Sequence, residues 1–125
     1  MKILLDTHLV LWWLANDSAL SVRARELISD PANTVFVSAV SLWEMWLKVS
    51  LGKLEVPLDF DARLAAEAFE NLPLTAAQTR VVNSLPWHHR DPFDRMLVAQ
   101  AQLERLVLLT ADRQITAYGG FVWSA

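Results

Sequence analysis

The sequence predicts an α/β fold on a mostly parallel central sheet, and three observations carry that reading. Short apolar runs (KILL, TVFVS, LVLLT) alternate with longer helix-like stretches, the order that produces parallel strands joined by helices. The chain has 125 residues, 54% hydrophobic and 20% charged, which suits one domain with a core of its own and excludes a disordered chain. It has no cysteine, so no disulfide framework or cysteine-ligated zinc site can hold it together.

Taken in order, Lys2 to Leu5 reads as a buried first strand and Leu9 to Ala15 as the helix behind it. Ser21 can cap a second helix running to about Ser29, which Asp30-Pro31 stops. Thr34 to Ser38 is a β-branched second strand. The stretch from about Val40 to Leu51 is apolar nearly all round, as in a central helix, and Gly52 ends it. Its polar stripe is Ser41, Glu44 and Lys48.

An amphipathic helix is expected over about Asp61 to Asn71, followed by a short Leu72-Pro73-Leu74 segment. Thr75-x-x-Gln78 is a capping-box pattern that opens the next helix. Ser84 to Arg90 is a polar-aromatic loop, after which Asp91-Pro92 starts a helix running to about Arg105. Leu106 to Thr110 is the third good strand. A short helical turn from Asp112 leads to Tyr118-Gly119, and Phe121 to Trp123 supplies an edge strand.

No apolar run approaches the roughly 18 residues a membrane span needs. Lys2 and the following leucines imitate a signal peptide, but Asp6 and His8 divide the stretch and no small-x-small site follows Ala15. The expectation is a mature cytoplasmic protein, without a membrane. Six tryptophans are many for this length, so some apolar surface is expected to face a partner. The formal net charge of −3 argues, on its face, against a nucleic-acid binder.

In an open α/β sheet, ligands collect at the carboxyl ends of the strands. Four acids map to that edge. Asp6 follows the first strand, Asp112 comes two residues after the third, and Glu44 and Asp94 begin the helices beside them. Local readings exist for three: Glu44 completes a Ser41-x-x-Glu44 capping box and pairs with Lys48, Asp94 suits a helix dipole, and Asp112 caps a short helix. Asp6, between Leu5 and Leu9, is the acid that burial makes expensive.

Together the four repel one another, and no lysine lies beyond Lys53 to neutralise the later pair. Either their pKa values rise or a cation binds. Oxygen-only ligands favour a hard ion, Mg²⁺ or Mn²⁺, which activates water and offsets the charge of a phosphodiester in transition. No nucleotide-cradling glycine motif is present. His8, His88 and His89 match no compact zinc spacing. His88-His89-Arg90 beside Trp87 reads either as a cationic, stacking lip for RNA or as a solvated loop packing Trp87.

KILLDTH, SLWEMWLKVSLGKL, HHRDPFDRMLVAQA and LLTADRQITAYG together resemble the PIN-domain ribonucleases, and more narrowly the VapC-type toxins of type II toxin–antitoxin pairs. The resemblance spans nearly the whole chain, with four separated motifs in order. It implies a three-layer α/β/α sandwich over residues 1–125, with a central sheet of four to five strands. It places the family's acidic quartet on Asp6, Glu44, Asp94 and Asp112, with Asp6, Asp94 and Asp112 as metal ligands. Asp94 takes the third place because Asp94-x-x-Leu97-x-Ala99 matches the family's pattern, leaving Asp91 as the helix cap. Thr7 and Thr110 match its hydroxyl positions, whereas Ile115 stands where an aromatic residue is more usual.

The implied activity is Mg²⁺-dependent cleavage of tRNA or another structured RNA, with Thr7, His88, Arg90, Arg95 and Arg113 as candidate substrate contacts. The implied partners are a VapB-type antitoxin, seated on the helices bearing Trp12-Trp13 and Trp43-Trp46, and a second copy of the chain in a homodimer. The alternative is a non-catalytic interaction module of the same fold. A DNA-directed flap-endonuclease reading lacks a helical arch and a basic stripe. Setting the four acids aside leaves ten acidic side chains against eleven basic ones. The acidic excess is the proposed site itself.

Overall fold

Every residue from 1 to 125 is described in the computed structural model. Strand β1 (Lys2–Leu5) lies at the centre of a five-stranded parallel sheet of order β3-β2-β1-β4-β5. Strands β2 (Thr34–Ser38) and β4 (Val107–Thr110) flank it, and β3 (Glu70–Leu72) and β5 (Val122–Ser124) form the edges. The register pairs Leu4 with Phe36 on one side and with Leu108 on the other.

Alternate residues of these strands feed two cores. Ile3, Leu5, Val35, Val37 and Leu109 pack with α1 (Thr7–Leu14) and α2 (Val22–Ser29) on one face. Leu4, Leu108 and Val122 pack with α6 (Pro92–Glu104) on the other, with Val81 and Val82 of α5 (Ala76–Ser84) against them. A strand buried on both faces needs apolar side chains at every position, which is why these runs read as continuous rather than alternating. Helix α3 (Ala39–Ser50) gives Val40 to one core and Met45 to the other. The result is the expected α/β/α sandwich.

Several boundaries differ from the sequence reading, each for a local reason. Helix α1 starts at Thr7, two residues early, because Asp6 itself is the N-cap: its Oδ1 accepts the His8 N–H at 3.2 Å. Helix α3 is capped by Ser38, whose Oγ accepts the Val40 N–H at 3.0 Å. Ser41 therefore lies inside the helix and Glu44 in its second turn, so the expected Ser41–Glu44 capping box does not form.

The amphipathic helix expected over Asp61 to Asn71 is only α4 (Phe60–Ala65). The chain then turns extended and adds β3 to the sheet, pairing Phe36 with Glu70. The capping box at Thr75 and Gln78 is present, as is the Asp91 cap with Pro92 in the first turn of α6. Between β4 and β5 runs a short 3₁₀ helix, Arg113–Tyr118, capped by Asp112. No helix is long and apolar enough to cross a membrane.

Strand order reverses at β1 and β4: the chain moves outward to β2 and β3, then returns to the other side. Such a switch point leaves a crevice at the carboxyl ends of the two strands. Asp6 lies at the mouth of β1 and Asp112 just beyond β4.

Candidate active site

Asp6 is 3% exposed, and each of its oxygens has a partner. Oδ1 accepts the His8 amide; Oδ2 accepts the Thr110 hydroxyl at 2.5 Å. Burial pushes its pKa up, against the lowering effect of the Thr110 and His8 hydrogen bonds. Thr110 Oγ1 also accepts the Asp112 N–H at 3.0 Å. One hydroxyl thus joins the acids that follow β1 and β4.

Asp94 enters from the first turn of α6, where its N–H is capped by Asp91 Oδ1 at 3.1 Å. Its pKa is pushed up to about 8, first by burial and then by the charges of Asp6, Asp91, Glu44 and Asp112. A helix N-terminus favours a carboxylate by about 1 kcal/mol at most in ordinary surface settings. Burial among four other acids outweighs it. Asp6, Asp94 and Asp112 line one cavity of about 230 Å³, together with His8, Trp12 and Ala111.

Glu44 is 3% exposed and reaches the group from α3. Its Oε2 accepts from Lys48 Nζ at 2.8 Å, a hydrogen bond that raises the lysine pKa. Its Oε1 is buried with no hydrogen-bond partner. A buried carboxylate oxygen left unpaired is costly, and a cation is the partner its chemistry asks for. This donor set, all carboxylate and hydroxyl around an acid held largely protonated near neutrality, fits a hard divalent ion.

The sequence reading left His89 in an RNA-facing or solvated loop and did not place it at the acidic site. Its Nε2 lies 3.1 Å from Asp112 Oδ2 and 3.7 Å from Asp94 Oδ2, and ligand atoms of the three residues all fall within 4.8 Å of one another. His88 and His89 are adjacent, and periodicity does not say which turns inward. His89 is half-buried, whereas His88 is exposed and packs edge-on against Tyr118 at 4.9 Å.

Of the candidate substrate contacts, His88, Arg90 and Arg113 are exposed, and neither arginine makes an ion pair. Thr7 is buried, its hydroxyl donating to Ser41 Oγ at 3.0 Å, which ties α1 to α3. Arg95 is also placed elsewhere, being 4% exposed. Its guanidinium donates to the carbonyls of Pro86 (2.9 Å), Val82 (3.2 Å) and Leu85 (3.4 Å) and to Tyr118 Oη (3.0 Å). It also stacks 3.7 Å from the centre of the Trp87 ring. Both serve as structural ties: Thr7 spends its hydroxyl proton on Ser41, and Arg95 has four of its five N–H donors engaged inside the fold.

A second cavity, about 510 Å³ and mainly apolar, runs between α1 and the segment after α3, lined by Leu11, Met45, Leu54, Val56 and Phe60 among others. His8 and Trp12 line both cavities. On α3, Trp43, Trp46, Leu47 and Leu51 are exposed.

The sequence matches the family described as PIN domain over residues 3–120. It is 29% identical over 119 residues to Ribonuclease VapC22 of Mycobacterium tuberculosis, covering 93% of this chain and 91% of that protein. The fold is similar to that of a VapBC2 complex of Rickettsia felis bound to a promoter DNA fragment (TM-score 0.71, 17% identity, 94% of this chain and 93% of the other). It is also similar to a toxin–antitoxin complex of Klebsiella pneumoniae (TM-score 0.65, 20% identity, 98% and 96%). FitAcB of Neisseria gonorrhoeae shares it as well (TM-score 0.60, 18% identity, 93% and 91%).

Proposed function

The chain belongs to the PIN-domain family, and from that premise we propose that it is the VapC-type toxin of a toxin–antitoxin pair, an Mg²⁺-dependent endoribonuclease. The observation that carries this reading is the gathering of Asp6, Glu44, Asp94 and Asp112 from four separate elements, with Glu44 Oε1 buried and unpaired. A fold pursuing stability alone gains nothing from that arrangement, since each carboxylate raises the cost of ionising the next.

Asp6, Asp94 and Asp112 would hold the ion, and Glu44 would complete the acidic site. Mg²⁺, or Mn²⁺, supplies a way to activate water and to offset charge on the phosphodiester. The protein's own part is positional. Thr110 fixes Asp6, the α1 and α6 N-termini fix the entry angles of Asp6 and Asp94, and Lys48 holds Glu44. Arg90, Arg113 and His88 stand exposed to meet the RNA backbone, and tRNA or another structured RNA is the substrate class.

The 1–125 chain acts as a single PIN domain in the prokaryotic cytoplasm, as a homodimer and without a membrane. A VapB-type antitoxin segment would occupy the apolar groove of about 510 Å³ and reach the acidic cavity past His8 and Trp12, with exposed Trp43 and Trp46 extending the contact.

Asp6→Asn tests the reading. Loss of RNA cleavage, and of growth arrest in cells lacking the antitoxin, is the expected result; retention of both overturns it. Titration with Mg²⁺ followed by NMR addresses the alternative: no shifts near Asp6 and Asp94 would favour a non-catalytic interaction module.

A further inference from the structure

His89 has three anchored atoms. Its backbone N–H donates to Tyr118 Oη at 3.2 Å, and its Nδ1 accepts the Asp91 N–H at 3.0 Å. Its Nε2 faces Asp112 Oδ2 at 3.1 Å. Because Nδ1 accepts, the neutral ring carries its proton on Nε2, and Nε2–H donates to the carboxylate. A ring in that tautomer has no lone pair on Nε2 for a metal. Turning it into a ligand would place an Nδ1 proton against the Asp91 N–H.

Asp112 needs such a partner. It lies at the entry to a 3₁₀ helix of six residues, and its Oδ1 is already engaged as the cap of the Gln114 N–H at 2.9 Å. Without His89, Oδ2 would be free to rotate into solvent. The loop that carries His89 is itself fastened: Arg95 and the His89 N–H share Tyr118 Oη, and Gln114 Nε2 donates to the His88 carbonyl at 3.3 Å. Asp94 Oδ2, at 3.7 Å, lies just outside hydrogen-bond distance of the same ring nitrogen.

We infer that His89 is a positioning residue for the divalent-ion site, a donor that sets the Asp112 carboxylate beside Asp94, and not itself a ligand. The inference rests on the metal-site reading above. Partners that orient ligand carboxylates affect metal affinity by roughly 10- to 100-fold.

The test is Mn²⁺ alone titrated into the full chain, with free ion followed by electron paramagnetic resonance. His89→Ala should weaken Mn²⁺ binding about 10-fold or more. His89→Gln, which keeps an N–H donor near the position of Nε2, should recover most of it. In an Asp112→Ala background, His89→Ala should add less than about a further 2-fold, because contacting residues are not additive. Nitrogen NMR of the wild-type ring should show Nε2 protonated with and without saturating Mg²⁺, a readout that does not depend on any variant folding. Unchanged Mn²⁺ affinity in His89→Ala, or loss of the Nε2 proton when Mg²⁺ binds, overturns the inference alone. Absence of Mn²⁺ binding by the wild type overturns both it and the metal-site reading.

Discussion

Thr110 Oγ1 donates to Asp6 Oδ2 at 2.5 Å across 104 residues of sequence. The same oxygen accepts the Asp112 N–H, so the hydroxyl of one threonine sets the spacing between the acids that follow β1 and β4. Thr110→Val keeps the shape and removes the hydroxyl. It leaves a buried carboxylate oxygen and an amide without partners, and is expected to cost about 1–3 kcal/mol in urea unfolding. Losing a bond that lowers the Asp6 pKa should also move the rising limb of the pH–cleavage profile upward. An unmoved profile would separate Thr110 from the chemistry.

Asp94 is the acid under most strain, its pKa raised to about 8 by burial and four neighbouring carboxylates. Asp94→Asn removes the charge without changing the volume. Cleavage should fall on the order of 10²- to 10³-fold, the scale for losing one group that stabilises transition-state charge. The metal-free chain should be as stable as the wild type or more so, since sites kept for function often oppose stability. Thermal unfolding with and without Mg²⁺ measures both halves of this expectation.

Stability should also fall with rising pH in the metal-free chain. Asp94 and Asp6 are raised in the folded state above their ordinary value of 3.8. The folded chain therefore holds protons that the unfolded chain has lost. That contribution is complete below about pH 4 and declines as pH rises toward 8. One such group gives a slope approaching about 1.4 kcal/mol per pH unit. Divalent ions compete with those protons, so saturating Mg²⁺ should flatten the decline. Melting curves between pH 5 and pH 8 without Mg²⁺ that show no downward trend would contradict the buried acidic cluster.

Arg95 is expected to matter for folding and not for RNA affinity. Its guanidinium serves carbonyls of Val82, Leu85 and Pro86, near the end of α5. Arg95→Met strands those acceptors and is expected to cost roughly 3 kcal/mol or more. The fluorescence of Trp87, which stacks on the guanidinium, should change as well. A variant of normal stability with weakened RNA binding would return Arg95 to the substrate contacts.

Leu54 lines the apolar groove and takes no part in the acidic cavity. Leu54→Asp should weaken binding of an antitoxin-derived peptide by about 10-fold or more, as removal of an apolar anchor does. RNA cleavage by the same variant should be unaffected. Equal losses in both would argue that the groove and the acidic site are not separable surfaces.

The fold class and Asp6 were legible in the sequence because strands buried on both faces demand continuous apolar runs, and a charge beside such a run stands out. Glu44, Asp94 and Asp112 each had a local reading as well, and the predicted strand edge together with the family resemblance is what grouped them with Asp6. The caps at Ser21, Thr75 and Asp91 were legible for a different reason: capping is a contact between near neighbours in the chain. What required the tertiary structure was every relationship across elements. The stretch after α4 leaves its amphipathic pattern because β2 offers an edge to pair with, and nothing within that stretch announces it. Arg95 has the composition of a phosphate contact, yet packing turns it inward onto the end of α5. His89 is distinguished from His88 only by which way the loop turns. The types of residue at the site are a property of sequence. Which atoms face one another is decided by how the layers close, because only packing settles which of two adjacent side chains is inside.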